Sequence, residues 1–147
     1  MKNFLFVVAF LTLSFSKSEY YTIIAGENIA AVTDMIDRLE NTTTSDKNAY
    51  RGALLMKKAG YQKTPKDKLS LFKQGRLLLE KEIETNSKNT EYHFLRLIIQ
   101  ENAPKMLKYN TNIVEDAAWV KKHYTEVNSD VRSAIVNYSK TSVNLKL

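Results

Sequence analysis

This 147-residue sequence predicts an all-α fold, about six antiparallel helices in an array or bundle. Three observations carry that expectation. Between residues 66 and 112, two apolar patterns recur at helical spacing on either side of a short polar break. Only two prolines and four glycines are present, too few for strands joined by many tight turns. The remaining apolar stripes are separated by short polar stretches rich in helix-capping residues. The length suits one domain, and an apolar share of 44% can build an ordinary core.

Residues 1–18 read as a secretory signal peptide. Lys2 supplies a positive start, and residues 4–15 are apolar apart from Thr12 and Ser14. Ser14, Ser16 and Ser18 then offer small residues for cleavage, after Ser16 or after Ser18. A membrane anchor is the competing reading, but it needs ~20 apolar residues and this run is shorter. With no cysteine in the chain, a lipidated N-terminal cysteine is excluded, as are disulfides, thiolate metal sites and a thiol nucleophile.

Residues 19–147 are expected to form the single helical domain. Residues 19–26 (EYYTIIAG) have the β-branched and aromatic content of a short strand, and read more simply as a mature N-terminus running into the first helix. Ala25, Ile29, Val32, Ile36 and Leu39 define that helix. The stretch 41–45 (NTTTS) is a linker, with Ser45 or Asp46 placed to cap a second helix over residues 48–60, with Tyr50, Ala53, Leu54 and Tyr61 expected on one face and Gly60 as its stop. Thr64 and Pro65 then open a third helix, with Leu69, Phe72, Leu79 and Ile83 on its apolar face. Asn89 or Thr90 starts the fourth, where Tyr92, Phe94, Leu95, Ile98 and Ile99 are apolar and Pro104 forces the end. A loop follows over residues 105–112. Ile113, Ala117, Val120 and Tyr124 mark a fifth helix, and Val131, Ile135, Tyr138 and Leu145 a sixth, entered through a capping cluster at Asn128, Ser129 and Asp130.

The junction EKEIETNSKNTEYHFLRL resembles that of a tetratricopeptide repeat. Gly75 stands where such repeats place a small residue at close helix contact, Leu79 on the large apolar position after it, and Glu84 and Asn86 at the polar helix exit. Ser87, Glu82 and Leu97 depart from the pattern, and no second copy follows at the ~34-residue period of this class. The resemblance implies a helical array. The chain as a whole also resembles small exported proteins of the Bacteroidetes, which implies export and supplies no functional residues.

Charge and motifs exclude more than they assign. The formal charge of +6 falls to +4 if cleavage after Ser18 removes Lys2 and Lys17, and lysines are spread through every helix. That argues against a nucleic-acid interface, which concentrates its cations. His93 and His123 have no metal-ligand spacing around them, and no cofactor is expected. Glu80, Glu82 and Glu84 alternate by two residues and so point different ways on a helix. No phosphate loop or GxSxG element is present. The sequons at Asn41 and Asn137 carry no weight in a bacterial setting.

The densest polar set lies around the Pro104 break: Arg96, Gln100, Glu101, Asn102, Lys105, Tyr109, Asn110 and Asn112. These residues either form a recognition patch or satisfy the freed helix end and hold the loop. The expectation is an exported, periplasmic or secreted, non-enzymatic protein that binds a protein or peptide of the cell envelope. Its alternatives are an envelope protein contacting anionic lipid or polysaccharide through lysines, and a small enzyme whose residues converge only on folding.

Overall fold

The computed structural model describes residues 15–147. Among them there are seven α-helices and no strand: α1 (Lys17–Ala25), α2 (Ile29–Glu40), α3 (Lys47–Ala59), α4 (Pro65–Thr85), α5 (Thr90–Asn102), α6 (Ile113–His123) and α7 (Ser129–Ser139). Short 3₁₀ turns occupy Lys105–Leu107 and Tyr124–Glu126. Of the expected signal peptide, residues 1–14 lie outside the described residues.

The capping residues explain most of the boundaries. Asn28, Thr64, Asn89 and Asn128 each turn a side-chain oxygen to a backbone N–H of the first helical turn. Asp46 stands at the N-cap of α3 without making that bond, and its carboxylate instead accepts the Tyr92 hydroxyl at 2.6 Å. The first helix of the sequence reading divides in two. Residues 17–25 form α1, capped by Ser16, and Gly26 ends it, so the stretch with strand-like composition is helical. Tyr20, Tyr21 and Ile24 of α1 are buried, and burial of a face decides between helix and strand where local composition favours neither. Leu145 is also displaced from its expected helix. It lies beyond α7 in the C-terminal tail, fully buried.

Packing departs from the expected central pair. The helix before the polar break, α4, lies mainly against α3, and α5 lies mainly against α6. Gly52 and Gly75 are the reason for the first contact. A Cβ on Gly52 would stand 2.6 Å from the Gly75 carbonyl oxygen and 2.8 Å from the Leu79 nitrogen, so the two backbones touch where neither has a side chain. Met56, Leu78 and Leu79 flank this contact, and Met56 and Leu79 are buried.

Helix α5 is the axis of the molecule. Every residue from Thr90 to Gln100 is buried, polar ones included. A helix enclosed on all sides must find partners for its charged and amide groups inside the protein. Where those partners come from determines the polar architecture described next.

Candidate functional site

The eight polar residues around Pro104 do not share one surface. Arg96, Gln100 and Tyr109 are buried, Lys105, Asn110 and Asn102 are exposed, and Glu101 and Asn112 are intermediate. Five of them, Arg96, Tyr109, Gln100, Asn112 and Glu101, fall into three separate groups.

Arg96 belongs to a buried charge cluster. Its Nε and Nη2 donate to the two Asp116 carboxylate oxygens at 2.7 and 2.8 Å, and Nη1 donates to Glu80 at 3.0 Å. The Tyr109 hydroxyl donates to the other Glu80 oxygen at 2.6 Å. His93 joins from the adjacent face of α5, with Nδ1 2.6 Å from Asp116 and Nε2 2.7 Å from the Ser87 carbonyl. Both ring nitrogens therefore face acceptors, an arrangement satisfied in full only by the imidazolium. Burial depresses the His93 pKa, but the bonds to Asp116 and Ser87 outweigh it and hold the pKa above the ordinary histidine value. Two cations and two carboxylates thus neutralise one another, and the 105–112 loop brings Tyr109 over Glu80, whose side chain stays 33% exposed.

Gln100 and Asn112 form the second group, an amide pair that pins the loop to α5. Gln100 Nε2 donates to Asn112 Oδ1 at 3.1 Å, and the Asn112 backbone N–H returns a bond to Gln100 Oε1 at 3.2 Å. Glu101 forms the third. Its carboxylate accepts the hydroxyls of Tyr138 and Ser142 and both the backbone and side-chain N–H of Asn144, which ties down the C-terminal tail. These bonds overcome the effect of burial and hold the Glu101 carboxyl below the usual range. Every member of these groups is committed to another part of the fold.

A further buried carboxylate secures α1. Glu91, in the first turn of α5, accepts the Tyr21 hydroxyl at 2.9 Å, the Tyr50 hydroxyl at 2.6 Å and the Lys17 ammonium at 2.8 Å. The first turn is where a helix tolerates negative charge best. Burial, followed by the nearby Glu91 charge, raises the Tyr21 pKa well above its ordinary value, so the phenol stays protonated and donating.

What these anchors leave open is an apolar groove of about 1090 Å³ between α1, the α3–α4 corner, the end of α5 and α7. Its floor is Tyr21, Ile24, Phe72, Phe94, Ile98 and Ile99. The Pro104 break forms one end. There Lys108 adopts a left-handed conformation (φ 50°) to reverse the chain, and the 3₁₀ turn before it presents Met106 and Leu107. Met106 is 85% exposed and Leu69, on the α4 side, 42% exposed. The rim is polar: Lys57 and Lys68 on the α3–α4 side, and Asp130, Ser133, Asn137 and Thr141 on the α7 side. Of the eight residues around Pro104, Asn102 alone lines this groove.

Sequence reasoning missed the groove because its parts come from four separate stretches. The signals were there singly: Met106 in a polar loop, and Leu69 near the start of a helix on which Phe72, Leu79 and Ile83 are buried. Among the described residues no group of three or more histidine and acidic side chains could hold a metal ion, and no helix is long and apolar enough to cross a membrane. No protein-family model, curated protein or solved structure matches the chain.

Proposed function

We propose that the protein is an exported, non-enzymatic binding module that seats the apolar face of a helical segment of a partner protein in the groove between α1, α4, α5 and α7. The observation that carries this reading is the groove itself, continuous, apolar-floored and rimmed by exposed Leu69 and Met106. Its volume lies at the upper end of what small-ligand sites use, ~300–1,000 Å³, and it is open along one side. An amphipathic helix fills such a space with several side chains at i, i+3, i+4 and i+7. Methionines at Met56 and Met106 suit a surface that must adapt to a neighbour's side chains. In this reading the helices form an antiparallel, repeat-like array, with the partner segment as an added helix.

Export is part of the same reading, and the fold favours one of the two cleavage points. Cleavage after Ser18 would remove Lys17 and leave buried Glu91 without its cation, whereas cleavage after Ser16 retains the 2.8 Å pair. Ser16 is extended (φ −103°, ψ 122°), and the helix begins at Lys17.

A photo-crosslinking residue placed at Met106, compared with one at Leu77 on the exposed face of α4, tests the groove in the native host. The expected result is a discrete protein adduct from Met106, mapped to a segment with apolar residues at helical spacing, and none from Leu77. Equal adducts from both positions, or lipid adducts alone at Met106, would refute the reading.

A further inference from the structure

The groove has one strongly charged side. Between residues 57 and 76 stand Lys57, Lys58, Lys63, Lys66, Lys68, Lys73 and Arg76 against the single acid Asp67. The rest of the chain holds acids and bases in equal number, so the whole formal excess of +6 resides in this corner. Lysines are spread along the chain, and among the described residues only Lys17 is ion-paired, but elsewhere along the sequence acids and bases balance in number. Here they do not.

These cations are also left over from the fold's own pairing. Among the described residues the salt bridges engage Lys17, Arg38, Arg51, His93, Arg96 and His123, and none of the six corner lysines. Asp67, the one acid of the corner, accepts from Thr64 at the start of α4. Arg76 is turned away over the Tyr109 ring at 4.8 Å, beyond the groove. Lys57 and Lys68 line the groove itself. Partial burial against the groove wall holds the Lys57 ammonium below the ordinary lysine range, with only a weaker opposing pull from Glu27. The facing wall carries Asp130 and uncharged Ser133, Asn137 and Thr141. One edge of the groove therefore carries two cations and the other a single acid, Asp130, among uncharged groups.

From this asymmetry we infer that the occupant is an amphipathic helix with carboxylates along one flank of its apolar face, docked so that they meet Lys57, Lys68 and the lysines behind them. This rests on the groove reading above and adds the sign of the charge, the flank that carries it and the orientation in which the helix lies. A helix with lysines on both flanks would place like charges against the α3–α4 corner. A neutral one would leave the corner unused. Complementary charge of this kind steers association and fixes register more than it adds affinity.

The test uses the full chain and two labelled synthetic peptides with the same apolar face, one flanked by glutamates and one by lysines, followed by fluorescence anisotropy. The glutamate peptide is expected to bind about tenfold more tightly, the ratio that two exposed ion pairs of usual strength provide. That ratio should shrink towards one as salt rises and the Debye length falls to ~3 Å near 1 M. The double substitution Lys57→Gln and Lys68→Gln should remove most of the ratio while leaving the circular dichroism unchanged and the lysine peptide's affinity no weaker. Equal binding of the two peptides, or preference for lysine, would overturn the inference and leave the groove reading standing. Failure of both peptides to bind would overturn the groove reading itself. Retention on anionic phospholipid vesicles with no peptide binding would assign the corner to a membrane surface and overturn both.

Discussion

Gly75→Ala should damage this protein more than the loss of one hydrogen atom normally does. A Cβ at residue 75 would sit 2.8 Å from the Met56 nitrogen and closer still to the Gly52 carbonyl oxygen. Both obstacles are backbone, so no rotamer change relieves them. Ordinary contact begins near 3.4 Å, and the reciprocal Gly52 contact at 2.6 Å shows that α3 and α4 must part by most of an ångström. A radial gap of ~0.5–1 Å forfeits a quarter to a half of the dispersion attraction across the interface, and overpacking of this kind costs ~1–3 kcal/mol. Against it stands the better helix propensity of alanine, worth about 1 kcal/mol. With backbone on both sides the upper end of the cost applies, for a net loss of about 2 kcal/mol, or a Tm lowered by ~6–10 °C in a domain of this size. Gly60→Ala is the control. Gly60 is exposed, its φ is −58°, and a Cβ there meets nothing nearer than the Lys57 carbonyl at 3.4 Å, so alanine should be neutral or stabilising by up to ~1 kcal/mol. Thermal melts of both variants decide the matter. A Gly75→Ala protein within about 0.5 kcal/mol of the parent, the usual range for harmless surface changes, would refute the backbone contact.

Two further outcomes follow from the buried charges. Arg96→Ala leaves Asp116 and Glu80 without their shared cation, which should cost ~3–5 kcal/mol in urea unfolding, and Arg96→Lys should recover only part because it lacks the planar fork. A loss under ~1 kcal/mol, the level of an exposed ion pair, would mean that the cluster is solvated. His93, raised above the ordinary value by Asp116 and Ser87 against the effect of burial, stabilises the fold fully below ~6.5, and that contribution is lost as pH rises through its folded pKa. The urea midpoint of the parent should therefore fall between pH 6 and pH 9 by more than that of His93→Gln. Parallel pH profiles would show that His93 does not titrate as the network requires.

The helix class and most helix starts were legible in the sequence because they depend on local physics. Apolar residues three and four apart need one continuous helix, and Thr64, Asn89 and Asn128 cap within their own first turn. Pro104 ends α5 through its own covalent geometry. The exception was α1, whose composition is ambiguous until Tyr20, Tyr21 and Ile24 are seen to be buried.

The sites were not legible, and Arg96 shows why. On a helical wheel it is a polar residue in mid-helix, consistent with either solvent or a buried partner. Its partners, Glu80 and Asp116, lie 16 and 20 residues away, and whether they converge depends on which helices pack together. The same holds for Glu91, which takes its three donors from residues 17, 21 and 50. The groove depends on tertiary structure still more, because a concave apolar surface belongs to no single helix. By itself the sequence determined that the chain folds as helices, where most of them begin and stop, and that it carries excess positive charge. Only the tertiary structure decided which polar groups are neutralised inside, which apolar residues are left uncovered, and that Leu69 and Met106 line a groove whose α3–α4 side carries Lys57 and Lys68. Periodicity and capping act within a turn or two of helix, whereas enclosure and charge balance are summed over every segment that meets at a point.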